Sequence, residues 1–276
     1  MRLLHLVVFC LAATFAFAQN PNLKIVTWNI RDMGRTKSTE EIDQMAQILR
    51  GYDVIAVQEV VAKDPAGARA IAKLTDALDR TGADYDYRVS DPTRSSSPHI
   101  RERYAYIWRT STVKLVTRPT LLSAFAKTVE REPYLIEFSW RGKPFRVVNF
   151  HARPHDQQPE QELAKFRSLM RDYADQPLFF LGDLNVVSHH TVFAPWVKRG
   201  YQLAMTGEPT TIRRKSPEDG TSWYAHEGDN IVYPGQRVEL LERGLLDVVA
   251  YLGHDLDAVY ALSDHAPVYV VVGRME

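Results

Sequence analysis

The chain has 276 residues, of which 45% are hydrophobic and 25% are charged, so it is long and apolar enough to bury a large core. Basic and acidic residues number 34 each. A protein that coats DNA in stoichiometric amounts is usually basic, and this balance argues against such a role. It leaves room for a nuclease, which has to release its polyanionic product.

The first 18 residues are typical of a secretory signal. An apolar run fills most of this segment, and Ala16 and Ala18 supply the small residues that a signal peptidase reads. The run is shorter than the roughly 20 apolar residues of a membrane-spanning helix. We therefore expect a signal peptide at residues 1–18, a secreted or periplasmic location and no stable membrane association. Cleavage would also remove Cys10, the only cysteine, so the mature chain would form no disulfide.

Hydrophobic periodicity predicts alternating strands and helices in the first part of the chain. Thr39 is expected to be the N-cap of the first helix. The predicted elements are, in order, a strand at Leu23–Ile30, a helix ending at Leu49, a strand at Asp53–Gln58, a helix at Ala66–Arg80 and a loop at Ser90–Pro98.

Strands dominate the rest of the chain. One helix is expected from Pro159 to about Tyr173, and the breaker-rich stretch from Thr206 to Gly228 is expected to be a long surface loop. No linker separates two compositions, so residues 19–276 are predicted to form one domain. Strands with interspersed helices favour two sheets flanked by helices. The strands are predicted at Arg103–Arg109, Val113–Val116, Tyr134–Trp140, Phe145–Phe150, Leu178–Leu181, Asn230–Tyr233, Val238–Leu241 and Pro267–Val272.

Several predicted strands end at a polar side chain. Asn29 ends the first strand, and Glu59 directly follows the second. Further along the chain His151, Asp183 and Asn185 follow other strands. Each of these alone could be an ordinary turn residue. Because strand ends in α/β architectures converge on the rim where ligands bind, their joint occurrence predicts a functional site.

The chemistry of these residues favours hydrolysis of a phosphate ester. Carboxylate and amide oxygens are ligands for Mg²⁺, Mn²⁺ or Ca²⁺, and a zinc site is disfavoured because the mature chain lacks cysteine and an HExxH spacing. His151 and His265 can act as general base and acid near neutral pH, each oriented by a carboxylate. The candidate metal ligands are Asn29, Glu59, Asp183, Asn185 and Asp264.

An ordered set of motifs resembles that of the endonuclease/exonuclease/phosphatase superfamily, from residue 23 to near the end of the chain. Within it, Arg131-Glu132-Pro133 and the segment after Ile30 resemble the deoxyribonuclease I-like branch. The motifs are Leu23-Lys24-Ile25-Val26-Thr27-Trp28-Asn29-Ile30-Arg31, Gln58-Glu59-Val60, Arg101-Glu102-Arg103-Tyr104, Asn149-Phe150-His151, Gly182-Asp183-Leu184-Asn185, Gly228-Asp229-Asn230-Ile231-Val232 and Ser263-Asp264-His265-Ala266-Pro267.

This resemblance implies an α/β fold, a four-layer α/β/β/α sandwich of two packed mixed sheets flanked by helices. It implies that Glu102 orients His151 and that Asp229 orients His265. The five candidate ligands would hold Mg²⁺, with Mn²⁺ as an alternative, and Ca²⁺ would be a structural or activating ion. The products would be a 5′-phosphate and a 3′-hydroxyl. The implied substrate-binding residues are Arg31, Arg131 and Asn149.

Two positions depart from the branch. Animal deoxyribonuclease I-like enzymes carry an arginine and a tyrosine that reach the minor groove, where this chain has Val61 and Ile100. The grip on a duplex should therefore differ. The run Arg213-Arg214-Lys215 is either a clamp on the nucleic-acid backbone or a solvated basic patch. The other candidates for compensating contacts are Lys63, Arg94, Arg101 and Arg153.

Three functions fit these residues. The first is a secreted, metal-dependent endonuclease that cleaves DNA as a monomer. The second is a phosphodiesterase of the same superfamily with another substrate, as in bacterial sphingomyelinases or the catalytic subunit of a genotoxin. A lipid enzyme should expose an apolar aromatic hairpin, whereas Trp196 and Trp223 lie in stretches of mixed polarity. The third, a binding protein without catalysis, is disfavoured because both histidines and their acids are present.

Overall fold

A computed structural model describes residues 22–63, 65–95, 97, 100–218 and 221–276. The predicted signal peptide lies outside these residues. Within the described part of the chain, no helix is both long and apolar enough to cross a bilayer.

Twelve strands and seven α-helices are present in the described chain, together with four short 3₁₀ segments. The strands are β1 (Leu23–Met33), β2 (Val54–Val61), β3 (Tyr85–Val89), β4 (Glu102–Arg109), β5 (Val113–Leu121), β6 (Tyr134–Trp140), β7 (Lys143–His151), β8 (Leu178–Asp183), β9 (Tyr201–Leu203), β10 (Asp229–Pro234), β11 (Val238–Leu245) and β12 (Val268–Met275). The α-helices are α1 (Thr39–Leu49), α2 (Ala66–Asp79), α3 (Pro159–Leu163), α4 (Leu169–Asp172), α5 (Ala194–Val197), α6 (Val248–Tyr251) and α7 (Leu256–Leu262).

The strands form two mixed six-stranded sheets. The first has the order β11-β12-β1-β2-β4-β3, and the second has the order β5-β6-β7-β8-β10-β9. One pair in each sheet is parallel, β1 with β2 and β7 with β8, and the other neighbours are antiparallel. Each parallel pair lies at the centre of its sheet, so the strand ends that carry the predicted site residues lie side by side.

Three apolar layers hold the sheets and helices together. Side chains of both sheets interdigitate in the central layer, where Tyr106, Phe138 and Phe179 are fully buried. The outer face of the first sheet packs on α1, α2, α6 and α7. The outer face of the second sheet packs on the 159–197 segment through residues such as Phe180 and Trp196. This arrangement confirms the predicted four-layer sandwich of two mixed sheets flanked by helices.

One predicted helix cap is wrong, and one predicted helix is not continuous. Ser38, not Thr39, is the N-cap of α1, because its hydroxyl accepts from Glu41 N at 3.1 Å while the Glu41 carboxylate accepts from Ser38 N. The helix predicted from Pro159 to Tyr173 is divided into α3, a 3₁₀ turn and α4. The 3₁₀ turn covers Ala164–Ser168, and Phe166 is its buried residue.

Candidate active site

Three neighbouring strands of the second sheet place site residues in one row. His151 at the end of β7 pairs in register with Asp183 at the end of β8, and Asp183 pairs with Asp229 at the start of β10. Gly182 allows this close pairing. It has φ +132°, and a Cβ atom there would lie 2.0 Å from the Phe150 carbonyl oxygen, so only glycine fits.

The first sheet contributes the opposite side of the site. A register shift in β2 between Val57 and Val60 displaces Glu59, which has a left-handed backbone with φ 59°. Asn29 lies within β1, where its register with β2 shifts. It joins the two sheets, because its Nδ2 donates to Glu59 Oε1 at 3.0 Å and to Asp183 Oδ2 at 3.1 Å. Asn29, Glu59 and Asp183, three of the predicted metal ligands, are therefore in direct contact.

His151 and His265 form two similar pairs with acidic side chains. His151 Nδ1 lies 2.9 Å from Glu102 Oε2, and His265 Nδ1 lies 2.8 Å from Asp229 Oδ2. The opposite ring nitrogens face one atom, Asp183 Oδ2, at 3.5 Å from His151 Nε2 and 3.8 Å from His265 Nε2. Two oriented imidazoles thus converge on the position of Asp183, as acid and base catalysis at a single centre requires.

Both imidazoles bind protons more tightly than a free histidine. Burial lowers the pKa of His265, but the charges of Asp229 and Asp183 outweigh burial and raise the pKa to about 10. Burial also lowers the pKa of His151, and the charge of Glu102 outweighs it, while Arg131 acts in the lowering direction. For Glu102 burial raises the pKa, and the charges of His151 and Arg131 hold it below its ordinary value.

The donor set at this centre fits a divalent cation. Asp183, Asp229 and His265 place ligand atoms within 4.8 Å of one another. Oδ1 of Asn29 and Oδ1 of Asp183 are buried without a hydrogen-bond partner, and an unpaired buried oxygen is costly unless something binds it. Asp229 Oδ2 bonds the imidazole of His265, and Asp229 Oδ1 is likewise buried without a hydrogen-bond partner, so Asp183 and Asp229 each offer one oxygen to a cation.

The remaining predicted ligands lie at the edge of the centre. Asn185 and Asp264 line the same groove as His265. The Asn185 backbone is left-handed, with φ 52°. The structure thus brings the two histidine–carboxylate pairs and all five predicted ligands together at one end of the sandwich.

The three predicted substrate-binding residues have different surroundings. Arg31 is part-exposed, with 42% of its side chain accessible, and its guanidinium lies over the Tyr260 ring. Arg131 is buried and pairs with Glu102 Oε2 at 3.1 Å, so it lies behind the Glu102–His151 pair. Asn149 is fully buried.

The prediction that Asn149 contacts substrate requires correction. Its Nδ2 donates to the Val57 carbonyl oxygen at 3.1 Å, and its Oδ1 accepts from Gln58 Nε2. With 0% exposure and both amide atoms bonded, Asn149 links the two sheets beneath the site. Its place in the motif is explained by this internal contact.

Four residues that support the site were not predicted as site residues. The Thr210 hydroxyl donates to Asp229 Oδ2 at 2.7 Å. The Ser263 hydroxyl accepts from His265 N at 3.1 Å and donates to the Asn29 carbonyl oxygen. Gln58 bonds Asn149, and the Tyr104 hydroxyl accepts from His151 N at 3.2 Å. Ser263, Gln58 and Tyr104 stand within the recognised motifs, whereas Thr210 lies in the polar loop and carries no such signal.

Known proteins share both the sequence pattern and the fold. The sequence matches the Endonuclease/Exonuclease/phosphatase family over residues 26–265. It is 28% identical to a deoxyribonuclease of Thioalkalivibrio sp. (strain K90mix) over 91% of this chain and 71% of that protein. It is 27% identical to the Mus musculus protein deoxyribonuclease-1-like 2, over 90% of this chain and 91% of that protein.

Solved structures match this chain over nearly their entire length. An endonuclease/exonuclease/phosphatase family protein from Leptotrichia buccalis C-1013-b has a TM-score of 0.64 at 16% identity, covering 91% of this chain and 99% of that one. The D. rerio TDP2 structure complexed with single strand DNA product has a TM-score of 0.61 at 17% identity, covering 91% and 98%. The predicted enzyme class, a hydrolase acting on ester bonds, is confirmed. The chain belongs to the endonuclease/exonuclease/phosphatase family, in its deoxyribonuclease I-like branch.

Proposed function

We propose that the protein is a secreted, divalent-metal-dependent endonuclease that hydrolyses DNA phosphodiester bonds. The observation that carries the proposal is the convergence of two histidine Nε2 atoms on Asp183 Oδ2, each histidine held by its own carboxylate. The names of the two deoxyribonuclease relatives support DNA as the substrate.

The two imidazoles divide the proton transfers of an in-line hydrolysis. One takes a proton from the attacking water, and the other gives a proton to the 3′ oxygen that leaves phosphorus, so the products are a 5′-phosphate and a 3′-hydroxyl. Glu102 and Asp229 fix the Nδ1 protons of His151 and His265 and leave Nε2 to act on the substrate.

A Mg²⁺ ion fits the oxygen donors at the centre, with Mn²⁺ as a substitute and Ca²⁺ as an activating or structural ion. Asn29, Glu59 and Asp183 would hold it, and Asn185 and Asp264 stand at the edge of the same centre. When bound, the ion would neutralise charge that develops on the phosphate oxygens. Arg31 is placed to contact a neighbouring phosphate, whereas Arg131 serves the proposal as the partner of Glu102.

Export is part of the proposal. The signal-like segment that ends at Ala18 supports it. In a bacterial host the full-length chain should yield a periplasmic or extracellular protein whose N-terminal sequence begins at Gln19. Recovery of the intact N-terminus in the cytoplasm would contradict this part of the proposal.

The test of the activity is cleavage of supercoiled plasmid by purified protein with Mg²⁺ and Ca²⁺, and then with excess EDTA. We expect nicked and linear products that disappear with the chelator. The His151→Ala variant, checked for an unchanged fold by circular dichroism, controls for a contaminating nuclease. An intact plasmid under every metal condition would overturn the proposal, and sphingomyelin would then be the next substrate to test.

A further inference from the structure

A groove leads away from the catalytic centre on the His265 side. Its volume is about 880 Å³, and Asp264 and His265 form its inner end. The sides are formed by Tyr260 of α7 and by the basic run that includes Arg214. Neither Tyr260 nor Arg214 takes part in the proton transfers proposed above, so their place beside the centre requires a separate explanation.

Tyr260 contacts one cation and shares its groove with a second. The guanidinium carbon of Arg31 lies 5.9 Å from the centre of its ring, within the range of a cation–π contact. Burial and the charge of Asp264 raise the pKa of the Tyr260 phenol, whereas the charges of Arg214 and Arg31 both lower it. Arg214 and Tyr260 line the same groove, so the geometry places Arg214 on the groove side of this ring.

The basic run is anchored to the catalytic loop. Ile212 N donates to the Asp264 carbonyl oxygen at 2.8 Å, and the Tyr260 hydroxyl donates to the Ile212 carbonyl oxygen at 2.7 Å. Thr211 also forms a β-bridge with His265. Arg214 follows only two residues after Ile212, so these contacts fix the backbone of Arg214 relative to His265.

The arginines of this run differ in what they bind. Arg213 is exposed and lines the groove, but its guanidinium is engaged, because its Nε donates to the Ser222 carbonyl oxygen at 2.8 Å. Its backbone N donates to the Trp223 carbonyl oxygen at 2.9 Å. Arg214 is exposed and lines the groove. No acidic side chain pairs with Arg214 among the described residues.

Arg31 carries little compensation for its charge. Its acidic neighbour, Asp32, stands 3.9 Å away and is 71% exposed, so the pair is weak. Arg31 of β1 lies over the Tyr260 ring, and Arg214 of the basic run lines the same groove as Tyr260. An anion bound between two such cations relieves their mutual repulsion. A phosphodiester group has the charge and the oxygen acceptors that two guanidinium groups bind best.

We propose that Arg31, Arg214 and Tyr260 form a second phosphate subsite, which binds the polynucleotide backbone next to the scissile phosphate on the His265 side. The proposal rests on the proposed function, because it assumes a polynucleotide substrate. Tyr260 holds the Arg31 guanidinium by the cation–π contact. Its hydroxyl bonds the Ile212 carbonyl oxygen, which anchors the start of the basic run to α7. The substrate class that follows is a nucleic-acid strand with at least one phosphate beyond the bond that is cut.

Binding without cleavage tests the subsite directly. A fluorescein-labelled single-stranded oligonucleotide is titrated in EDTA, and its Kd is read from fluorescence anisotropy at several salt concentrations. We expect Arg214→Ala to weaken binding about tenfold and to reduce the salt slope by about one charge. The matched control is Arg171→Ala, because Arg171 is 71% exposed and lies on α4, outside the groove. Equal binding by Arg214→Ala and the wild type, or an equal loss in the control, would overturn the subsite.

Two Tyr260 variants separate the ring from the hydroxyl. Tyr260→Phe keeps the aromatic contact with Arg31 and loses the bond to Ile212, and Tyr260→Leu loses both. We expect Tyr260→Leu to weaken oligonucleotide binding several times more than Tyr260→Phe does. Equal losses in the two variants would contradict a role for the ring, and Arg214→Ala keeps the test decisive if Tyr260→Leu does not fold.

Catalysis adds a second readout that separates the two proposals. With Mg²⁺, kcat/KM of Arg214→Ala should fall about tenfold more on the oligonucleotide than on bis(p-nitrophenyl) phosphate, which has no second phosphate. If the wild type cleaves neither substrate but its binding still depends on Arg214, the proposed function fails and the subsite remains. If it cleaves DNA and Arg214→Ala loses equally on both substrates, the subsite fails and the function remains.

Discussion

The two histidine–carboxylate pairs share one geometry and differ in what surrounds them. In each pair Nδ1 lies within 2.9 Å of a carboxylate oxygen and Nε2 faces Asp183. The carboxylate of Glu102 is also paired with the guanidinium of Arg131 at 3.1 Å. The carboxylate of Asp229 accepts instead from the neutral hydroxyl of Thr210 at 2.7 Å.

This difference shows that geometry and charge are set by separate parts of the fold. The strand ends fix where each imidazole points, and the second partner of each carboxylate adjusts how tightly the imidazole holds its proton. Burial and the charge of Arg131 act to lower the pKa of His151, and the charge of Glu102 raises that pKa overall. At His265 the charges of Asp229 and Asp183 outweigh burial and raise the pKa to about 10. Acid and base catalysis requires two such groups in different environments at one centre.

Removing either imidazole should abolish most of the activity, which is the largest effect that we expect. We expect His151→Ala and His265→Ala each to lower kcat/KM for DNA cleavage at least about a hundredfold, since one acid–base group contributes on the order of 10²–10⁴. The double variant should lose little more than the worse single variant, because the two groups act as a unit. Undiminished cleavage by either single variant would sink the two-histidine mechanism.

Replacing the orienting acids should have a smaller but still large effect. Asp229→Asn and Glu102→Gln should each lower activity about ten- to a hundredfold, because an amide neither fixes the tautomer nor stabilises the imidazolium. Asp229→Asn should also lower the pKa of His265 from about 10, since it removes the first of the charges that raise it. Proton NMR titration of the imidazole in EDTA measures this shift. An unchanged His265 pKa would show that Asp229 is not its main partner.

Replacing Arg131 tests the feature that distinguishes the two pairs. Arg131 lowers the pKa of His151, so Arg131→Met should raise that pKa and leave the pKa of His265 in place. The pH profile of kcat/KM should then move on one side only, to higher pH. Movement of the acidic side would identify His151 as the base, and movement of the alkaline side would identify it as the acid. A profile in which both sides stay in place would contradict the role of Arg131.

Thr210→Val should have the smallest effect on catalysis. The Asp229 carboxylate keeps its bond to His265, so we expect activity within a few-fold of the wild type. Stability should fall by about 1–3 kcal/mol, because the backbone N–H groups of Gly228 and Asp229 also donate to the Thr210 hydroxyl. Urea unfolding measures the loss. An activity loss as large as that of Asp229→Asn would contradict a purely supporting role for Thr210.

The site could be predicted from the sequence because several of its residues stand at strand ends. His151 and Asp183 do end β7 and β8, and the parallel pairing brings those ends together. Asn29 and Glu59 were predicted at strand ends but lie inside β1 and β2, where register shifts interrupt the pairing. The sequence did not indicate which of the motif residues are buried. Arg131 and Asn149 have polar side chains in motif positions, yet long-range contacts bury both.

The parts of the fold that were not predicted are short. β9 has three residues and α6 has four, too few to show a periodic pattern. β3 does show alternation, with Tyr85, Tyr87 and Val89 separated by polar residues, so its signal was present. α7 begins at an Asp255 N-cap that accepts from Asp257 N and Ala258 N, and this cap could have revealed the helix that carries Tyr260.

At Glu59 and Asn185 the left-handed backbone lowers stability, while the side chain is a candidate metal ligand. Activity and thermal stability therefore favour different residues at these positions. Each residue occupies a conformation that costs about 1–3 kcal/mol for a side-chain-bearing residue, with φ at 59° and 52°. Glycine would relax the backbone at either position and would delete a ligand at the same time. Laboratory evolution for heat resistance alone should therefore favour glycine at these two positions, and every such gain would be an inactive enzyme.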